Sequence, residues 1–474
     1  MGETTRQGGQ TLAKGAVIAL GLALASSVGV MLWLNATGND ALIARYNALS
    51  EELHEKRYTR APPPPEAVAA LEDGAAAPLY KEAWRLLKDA GDAPDQLSEV
   101  VKWLGGEAPG GEPRAEIAPE CLDAGAPPGS RDPVLLRLEP EVCDYLNRAA
   151  PAIVLASKAS QRSNNRSPVH VWERWEDVGA AVPSYLPFLV LGNLSLLQGH
   201  IDGLGDDQAK QLDRTFVAAR MGVDLSQGSG LLGAMLGTAM VESATKALIH
   251  TMHHERLGDA ALRRIIAELT WVQQGWAPLH DAMVGEYLWV TALLLHQSSP
   301  DAFDQLTLPT ALAQEDFTNY GSGNMFERLF LKSGIKEYEV VWAQLMVAHE
   351  EPLLSERFKT YDAVEARLQQ SSNPITSVLM VDYGRFDRRV SAARVQLALT
   401  RLLAMAQLHA LRHDGALPSS IADLKALGEL PVDLITGEPF AIEAGALKSP
   451  LTQELSARMT EERDRLTVRL KLPR

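Results

Sequence analysis

Apolar and polar positions along the chain change rhythm several times, and each rhythm predicts a different element. The first is an unbroken apolar run, Gly15 to Leu34, twenty residues without a charge. As a helix it would be about 30 Å long, the thickness of a bilayer's hydrocarbon core. Next, Asn39 and Asp40 stand ready to cap a helix with Leu42, Tyr46, Leu49 and Leu53 at 4-3-4 spacing. Such a seam is too short to be stable alone, and docking on its own domain is the expected fate. A proline run, Pro62 to Pro65, predicts an extended spacer. Leu79 to Leu87 is helical in pattern, Val100 to Leu104 closes a second short helix, and Gly105 to Pro133 is a long Gly/Pro/Ala excursion without periodicity.

From Ser184 to about Gln297 the helical period dominates, broken only by Gly203–Asp206, Gln227–Gly230, Gly258-Asp259 and Ala277-Pro278. These breaks predict stacked antiparallel helices, with Asp206 and Asp259 as N-caps of helices starting at Gln208 and Ala260. The apolar stretch Val182 to Gln198 carries Pro183, Pro187 and Asn193, so it is expected as a buried core helix rather than a second span. Helices follow over Val340 to Leu368, interrupted at Pro352, and over Arg388 to His413, where Val395, Leu399, Leu402, Leu403 and Leu408 mark one face. The end changes to a period of two: Leu466, Val468, Leu470 and Leu472 alternate with Thr467, Arg469 and Lys471, the signature of a half-buried strand.

The fold class expected is therefore mainly α: an N-terminal transmembrane helix, an extracytoplasmic helical array and a small C-terminal α+β module. The organisation reads as a cytoplasmic tail (1–14), the span (15–34), a juxtamembrane helix and Pro-rich spacer (35–66), and an irregular Pro/Gly-rich region with short helices (67–176). The helical array (177–387) and the long helix with its β tail (388–474) complete it. Ala23 and Ala25 would suit a signal peptidase, but the apolar run continues nine residues beyond Ala25 to the interfacial Trp33, which favours an uncleaved signal anchor. Arg6 and Lys14 precede the span and only Arg45 follows closely, so the N-terminus is placed in the cytoplasm and the bulk outside the inner membrane.

Charge sharpens this. The chain of 474 residues has a net charge of −15. Residues 1–14 set Glu3 against Arg6 and Lys14, so the acidity lies wholly beyond the span. An acidic surface excludes a general nucleic-acid binder, and the anchor at 15–34 rather than charge holds the protein to the lipid bilayer. Two cysteines, Cys121 and Cys143, are 22 positions apart. In an oxidising compartment they could close a loop worth about 3 kcal/mol; unrelated thiols are the alternative.

Candidate chemistry is sparse. Gly228 to Gly233 matches GxGxxG, but a helical segment precedes it where a dinucleotide site needs a strand, so it reads as a turn with Gly233 and Gly237 letting two helices approach. His250 and His254 share a helix face at i, i+4, and His280 or Glu286 could add a third ligand for zinc; without HExxH, a polar helix end is the competing reading. No GxSxG elbow is present, and Asp206-Asp207 and Glu350-Glu351 read as caps and solvated surface. Trp172, Trp175, Tyr185 and Phe188 read as core rather than a sugar platform.

A resemblance rests on the order of the tail: a long helix, HDGALPSSIADL (413–424), LPVDLITGEPF (430–440) and a terminal strand. It resembles the C-terminal module of bacterial membrane-anchored, mainly helical proteins of unknown function, and the helix-to-sheet part of type II secretion pseudopilins. Residues 77–87, APLYKEAWRLL, are similar in style to the first group. Unlike a pseudopilin, about 350 residues separate anchor and long helix, and no prepilin cleavage site precedes the span. The resemblance implies architecture and placement and carries no catalytic residue. The leading expectation is a membrane-anchored envelope scaffold with a protein partner and no cofactor. The alternatives are a metal-dependent hydrolase around His250 and His254, and a pseudopilin-related assembly component.

Overall fold

The structure is a computed structural model, and it describes residues 39–55, 59–64, 71–94, 140–165, 185–205, 207–227, 229–298, 325–370 and 382–473. The span at 15–34, Val100 to Leu104, Gly105 to Pro133, Cys121, Asp206, Gly228, Trp172 and Trp175 lie outside the described residues. Among the described residues no helix is long and apolar enough to cross a membrane.

The chain is mainly α-helical with two small sheets. Its helices are α1 (Asp40–Glu55), α2 (Ala76–Asp89), α3 (Pro140–Ala159), α4 (Leu186–Leu204), α5 (Gln208–Ser226), α6 (Gly230–His254), α7 (Asp259–Gly275), α8 (Leu279–Ser298), α9 (Met325–Ala348), α10 (Leu354–Gln370), α11 (Tyr383–Arg412) and the short α12 (Gln453–Arg458). Strands β1 (Glu72–Ala75) and β2 (Arg162–Asn164) pair in parallel, and β3 (Ala441–Glu443), β4 (Ala446–Lys448) and β5 (Thr467–Arg469) form an antiparallel sheet in that order.

Two compact units emerge. The smaller draws on Met1–Glu52, Tyr287–Gln344 and Val364–Val381. Its described core is aromatic: Tyr287, Tyr338 and Trp342 stack with centroids 5.7 to 6.1 Å apart, and the Arg45 guanidinium lies 5.6 Å over the Tyr287 ring. Leu42, Ile43 and Tyr46 of α1 are buried, so the apolar face read as a seam is covered within the chain itself.

The larger unit comprises Leu53–Glu286, Leu345–Ala363 and Asp382–Arg474. Here α4, α5 and α6 pack against one another as consecutive helices, and α11 lies against α6 and α7. With 30 residues α11 is about 45 Å long, and it buries side chains on nearly every side, which is why its flanks carry Gln396, Thr400, Arg401 and Gln407 inside the fold. Asp382 caps it by accepting from Arg385 N at 2.8 Å, so the helix begins five residues before Arg388. Asp207, not Asp206, caps α5, accepting from Lys210 N at 3.1 Å. Asp259 sits in the first turn of α7 instead of at its cap and binds Arg263 and Arg412.

Three further departures have local causes. The region expected to be irregular contains the twenty-residue helix α3: Pro140 occupies its first position, where no backbone donor is needed, and Pro151 is carried within it. The segment leading into the proline run is held by the fold. Thr59 bridges to Asn164, Arg60 N donates to Ser163 O at 2.8 Å, and Trp271 Nε1 donates to Ala61 O at 2.7 Å, so the chain is docked up to the first proline. The final strand is three residues long because its partner β4 is three residues long, although burial still alternates at Leu466 and Val468.

The tail is built from local chemistry. Ser420 and Asp423 form a capping box on the 3-10 helix Ile421–Leu427, whose Ile421 and Leu424 are buried. Asp433 Oδ1 accepts from Ile435 N (2.6 Å) and Thr436 N (3.0 Å), closing the turn that Gly437 completes at φ 77°. Ala444 and Gly445, both at positive φ, join β3 to β4 as a two-residue hairpin.

Candidate functional site

Two clusters of buried ionisable side chains dominate the larger unit. In the first, Asp224 and Arg220 face inward from α5. Asp224 accepts from Tyr80 Oη at 2.5 Å and is paired with Arg60; Arg220 forms a two-pronged contact with Glu268 of α7 at 2.6 and 3.3 Å. Both guanidinium groups lie over Trp271, at 5.5 Å and 5.2 Å. Arg60 and Asp224 are 4% and 0% exposed and Arg220 and Glu268 are 2% and 0%, so two cations and two anions form a neutral set away from water. Burial pushes the Asp224 carboxyl up to about 6, against the pull of Arg60 and the hydrogen bonds from Tyr80 and Asn165.

The second cluster joins α10, α11 and the turn after α9. Arg357 donates to Asp387 through Nε (2.6 Å) and Nη2 (3.1 Å), Tyr361 Oη donates at 2.5 Å, and Ser391 Oγ donates at 3.1 Å. Arg357 also binds Glu351 O and Pro352 O, which pins the turn between α9 and α10. Burial raises the Asp387 carboxyl, but Arg357 and His349, with the hydrogen bonds from Arg357 and Tyr361, outweigh it and hold it below the usual carboxylate range. Asp387 thus accepts the hydrogen bond from the single Tyr361 O–H. Tyr361 Oη is also 3.1 Å from His349 Nε2, so it must accept there, and His349 is the Nε2-protonated tautomer.

This chain of contacts resembles a catalytic relay but lacks a reactive end. Burial raises the Tyr361 phenol far above its ordinary value, Ser391 gives its proton to an anion that is a poor base, and burial pulls His349 down to about 4. The arrangement holds helices together. His349 has a pH signature: the unfolded chain binds its proton below about 6.5, the folded chain only below about 4. Stability is therefore full above pH 6.5 and falls on acidification towards 4, by no more than about 1.4 kcal/mol per pH unit. Measured as the difference in unfolding free energy between the wild type and His349→Gln, it should show that slope; a flat difference over this range would refute it.

His250 and His254 meet on α6 with ring centroids 4.4 Å apart, while His280 begins α8 beside Asp281, its Nδ1 3.6 Å from the carboxylate. Among the described residues no three His, Cys, Asp or Glu side chains converge as a set for a metal ion. Glu286 is engaged elsewhere: its Oε2 accepts from Leu231 N at 3.3 Å. That contact occupies the N-terminus of α6, where a pyrophosphate would have to lie, and α5 rather than a strand precedes the loop. Gly237 allows close helix approach towards Gly222, and a Cβ on Gly233 would meet Ser229 of the turn and the Leu225 carbonyl oxygen of α5. Cys143 is disulfide-bonded. Tyr185 and Phe188 are core residues, Tyr185 Oη donating to Ser229 O and Phe188 packing on Tyr80 at 4.8 Å.

Sequence reasoning missed both clusters, since Arg60, Tyr80, Asp224 and Glu268 come from four separate segments. It also passed over His409 and His413, an i, i+4 pair with the same spacing as His250 and His254. No known protein family, no curated protein and no solved structure matches the chain.

Proposed function

We propose that the protein is a membrane-anchored, extracytoplasmic helical scaffold of the bacterial cell envelope that works by binding a protein partner rather than by catalysis. The observation that carries this reading is the closure of the buried charges on one another. Asp224, Glu268 and Asp387 each receive donors from their own chain, and each joins segments distant in sequence. Ionisable groups spent on rigidity suit a body that presents a surface. The disulfide at Cys143 supports an oxidising compartment, and the run at 15–34 supports the anchor.

The test is thiol labelling of the full chain in intact membrane vesicles, followed by cross-linking in native membranes. Expected are no free thiol without reductant, and one defined cross-linked species in addition to the monomer. Two reactive thiols would remove the placement. Absence of any cross-linked partner, together with a hydrolytic activity lost in His250→Ala, would replace the scaffold reading by the metal-hydrolase one.

A further inference from the structure

At the C-terminal end of α11, His409 and His413 stack with ring centroids 4.0 Å apart and planes 14° from parallel. Each ring is held from behind by a main-chain carbonyl. His413 Nδ1 lies 2.8 Å from His409 O, and His409 Nδ1 lies 3.2 Å from Ala416 O. A carbonyl oxygen only accepts, so both Nδ1 atoms carry the proton and, in the neutral rings, both Nε2 atoms present a lone pair. The loop is shaped for this: Asp414 and Gly415 at φ 54° and 86° turn the chain back, Gly415 N donates to Ala410 O at 2.8 Å, and this returns the Ala416 carbonyl to the His409 ring.

We propose that His409 and His413 form a two-imidazole site for a divalent transition metal ion, of the zinc, nickel or copper class. Four observations support it. The residues are four apart, the spacing by which one helix face offers two imidazole nitrogens to one ion. The Nδ1–H to carbonyl contacts are the supporting arrangement that metal-bound histidines use to fix tautomer and orientation. The two rings lie against each other, 4.0 Å between centroids, at the negative end of the α11 dipole, which favours a cation beside them. Finally, His413 is exposed, and Arg412, the nearest positive group in sequence, is occupied by Asp259 at 2.8 Å. Neutral nitrogen ligands select this class of ion over magnesium or calcium. With no third protein ligand assembled among the described residues, water completes the coordination.

The experiment uses the full-length chain in detergent, without a histidine tag, titrated with Ni2+ and with Zn2+ and followed by calorimetry and thermal unfolding. Expected is a saturable site that weakens by about tenfold or more in His409→Gln and in His413→Gln, and that raises the melting temperature of the wild type but of neither of these two variants. His250→Gln/His254→Gln should leave that site intact. Circular dichroism of the His413→Gln protein, changed at an exposed position, checks that the fold is kept. Uptake that is unsaturated at about 1 mM metal, or that survives both substitutions, overturns the proposal; loss confined to the His250/His254 variant assigns the metal to that pair and overturns it equally.

Discussion

Glu268→Leu is expected to lower the unfolding free energy of the larger unit by about 3–5 kcal/mol, because it leaves the Arg220 guanidinium charged, 2% exposed and without its carboxylate. The neutral set of Arg60, Arg220, Asp224 and Glu268 would carry a net positive charge in a place that water does not reach. The companion experiment gives the prediction its edge. Arg220→Met with Glu268→Leu removes one charge of each sign and fills the space with apolar atoms, and should recover most of the loss, since buried ion pairs contribute little over a well-packed hydrophobic replacement. Urea unfolding followed by circular dichroism measures both. A single variant within about 1 kcal/mol of the wild type, or a double variant no better than the single, would show that the pair does not behave as a desolvated ion pair.

Gly237→Ala should cost about 3 kcal/mol, a large effect for one methyl group. The added Cβ would press on the Gly222 carbonyl oxygen and approach Ser226 N to 3.2 Å, both backbone atoms of α5 that cannot turn aside. The two helices must then separate along the contact that organises α4, α5 and α6. Gly275→Ala is the control: its nearest neighbour would be Val223 Cγ1 at 3.7 Å, ordinary contact, so its unfolding midpoint should stay near that of the wild type. A Gly237→Ala protein with an unshifted midpoint would mean that α5 and α6 do not meet backbone to backbone.

The helices from Leu186 to Ser298 were legible because each short break supplies a stop and a start, and the spacing of apolar residues between breaks is local information. The terminal alternation at Leu466 and Val468 was legible as a half-buried strand for the same reason, whereas the capping box and the Ala444–Gly445 hairpin of the tail were not read from the sequence. Element starts shifted where a different carboxylate from the expected one reaches a backbone N–H, as at Asp207, or where an unanticipated one does, as at Asp382.

The clusters were not legible. Arg220 and Asp224 stand four apart on α5, a spacing that reads as a solvated i, i+4 ion pair. In the fold they take separate partners, Glu268 and Arg60, from 48 positions downstream and 164 upstream. Nothing in either local window indicates that this face of α5 turns inward. Likewise the spacing of His409 and His413 does not show that main-chain carbonyls stand behind both rings.

The sequence by itself therefore determined the mainly helical class, the positions of most helices and an acidic chain with one long uncharged run, because these follow from periodicity, caps and composition over short windows. Only the tertiary structure decided that Arg60 anchors the segment before the prolines, that Gly237 faces Gly222, which carboxylates are held away from water and which imidazole nitrogens remain open. Those depend on contacts between residues tens to hundreds of positions apart, and on main-chain atoms whose direction no side-chain pattern encodes.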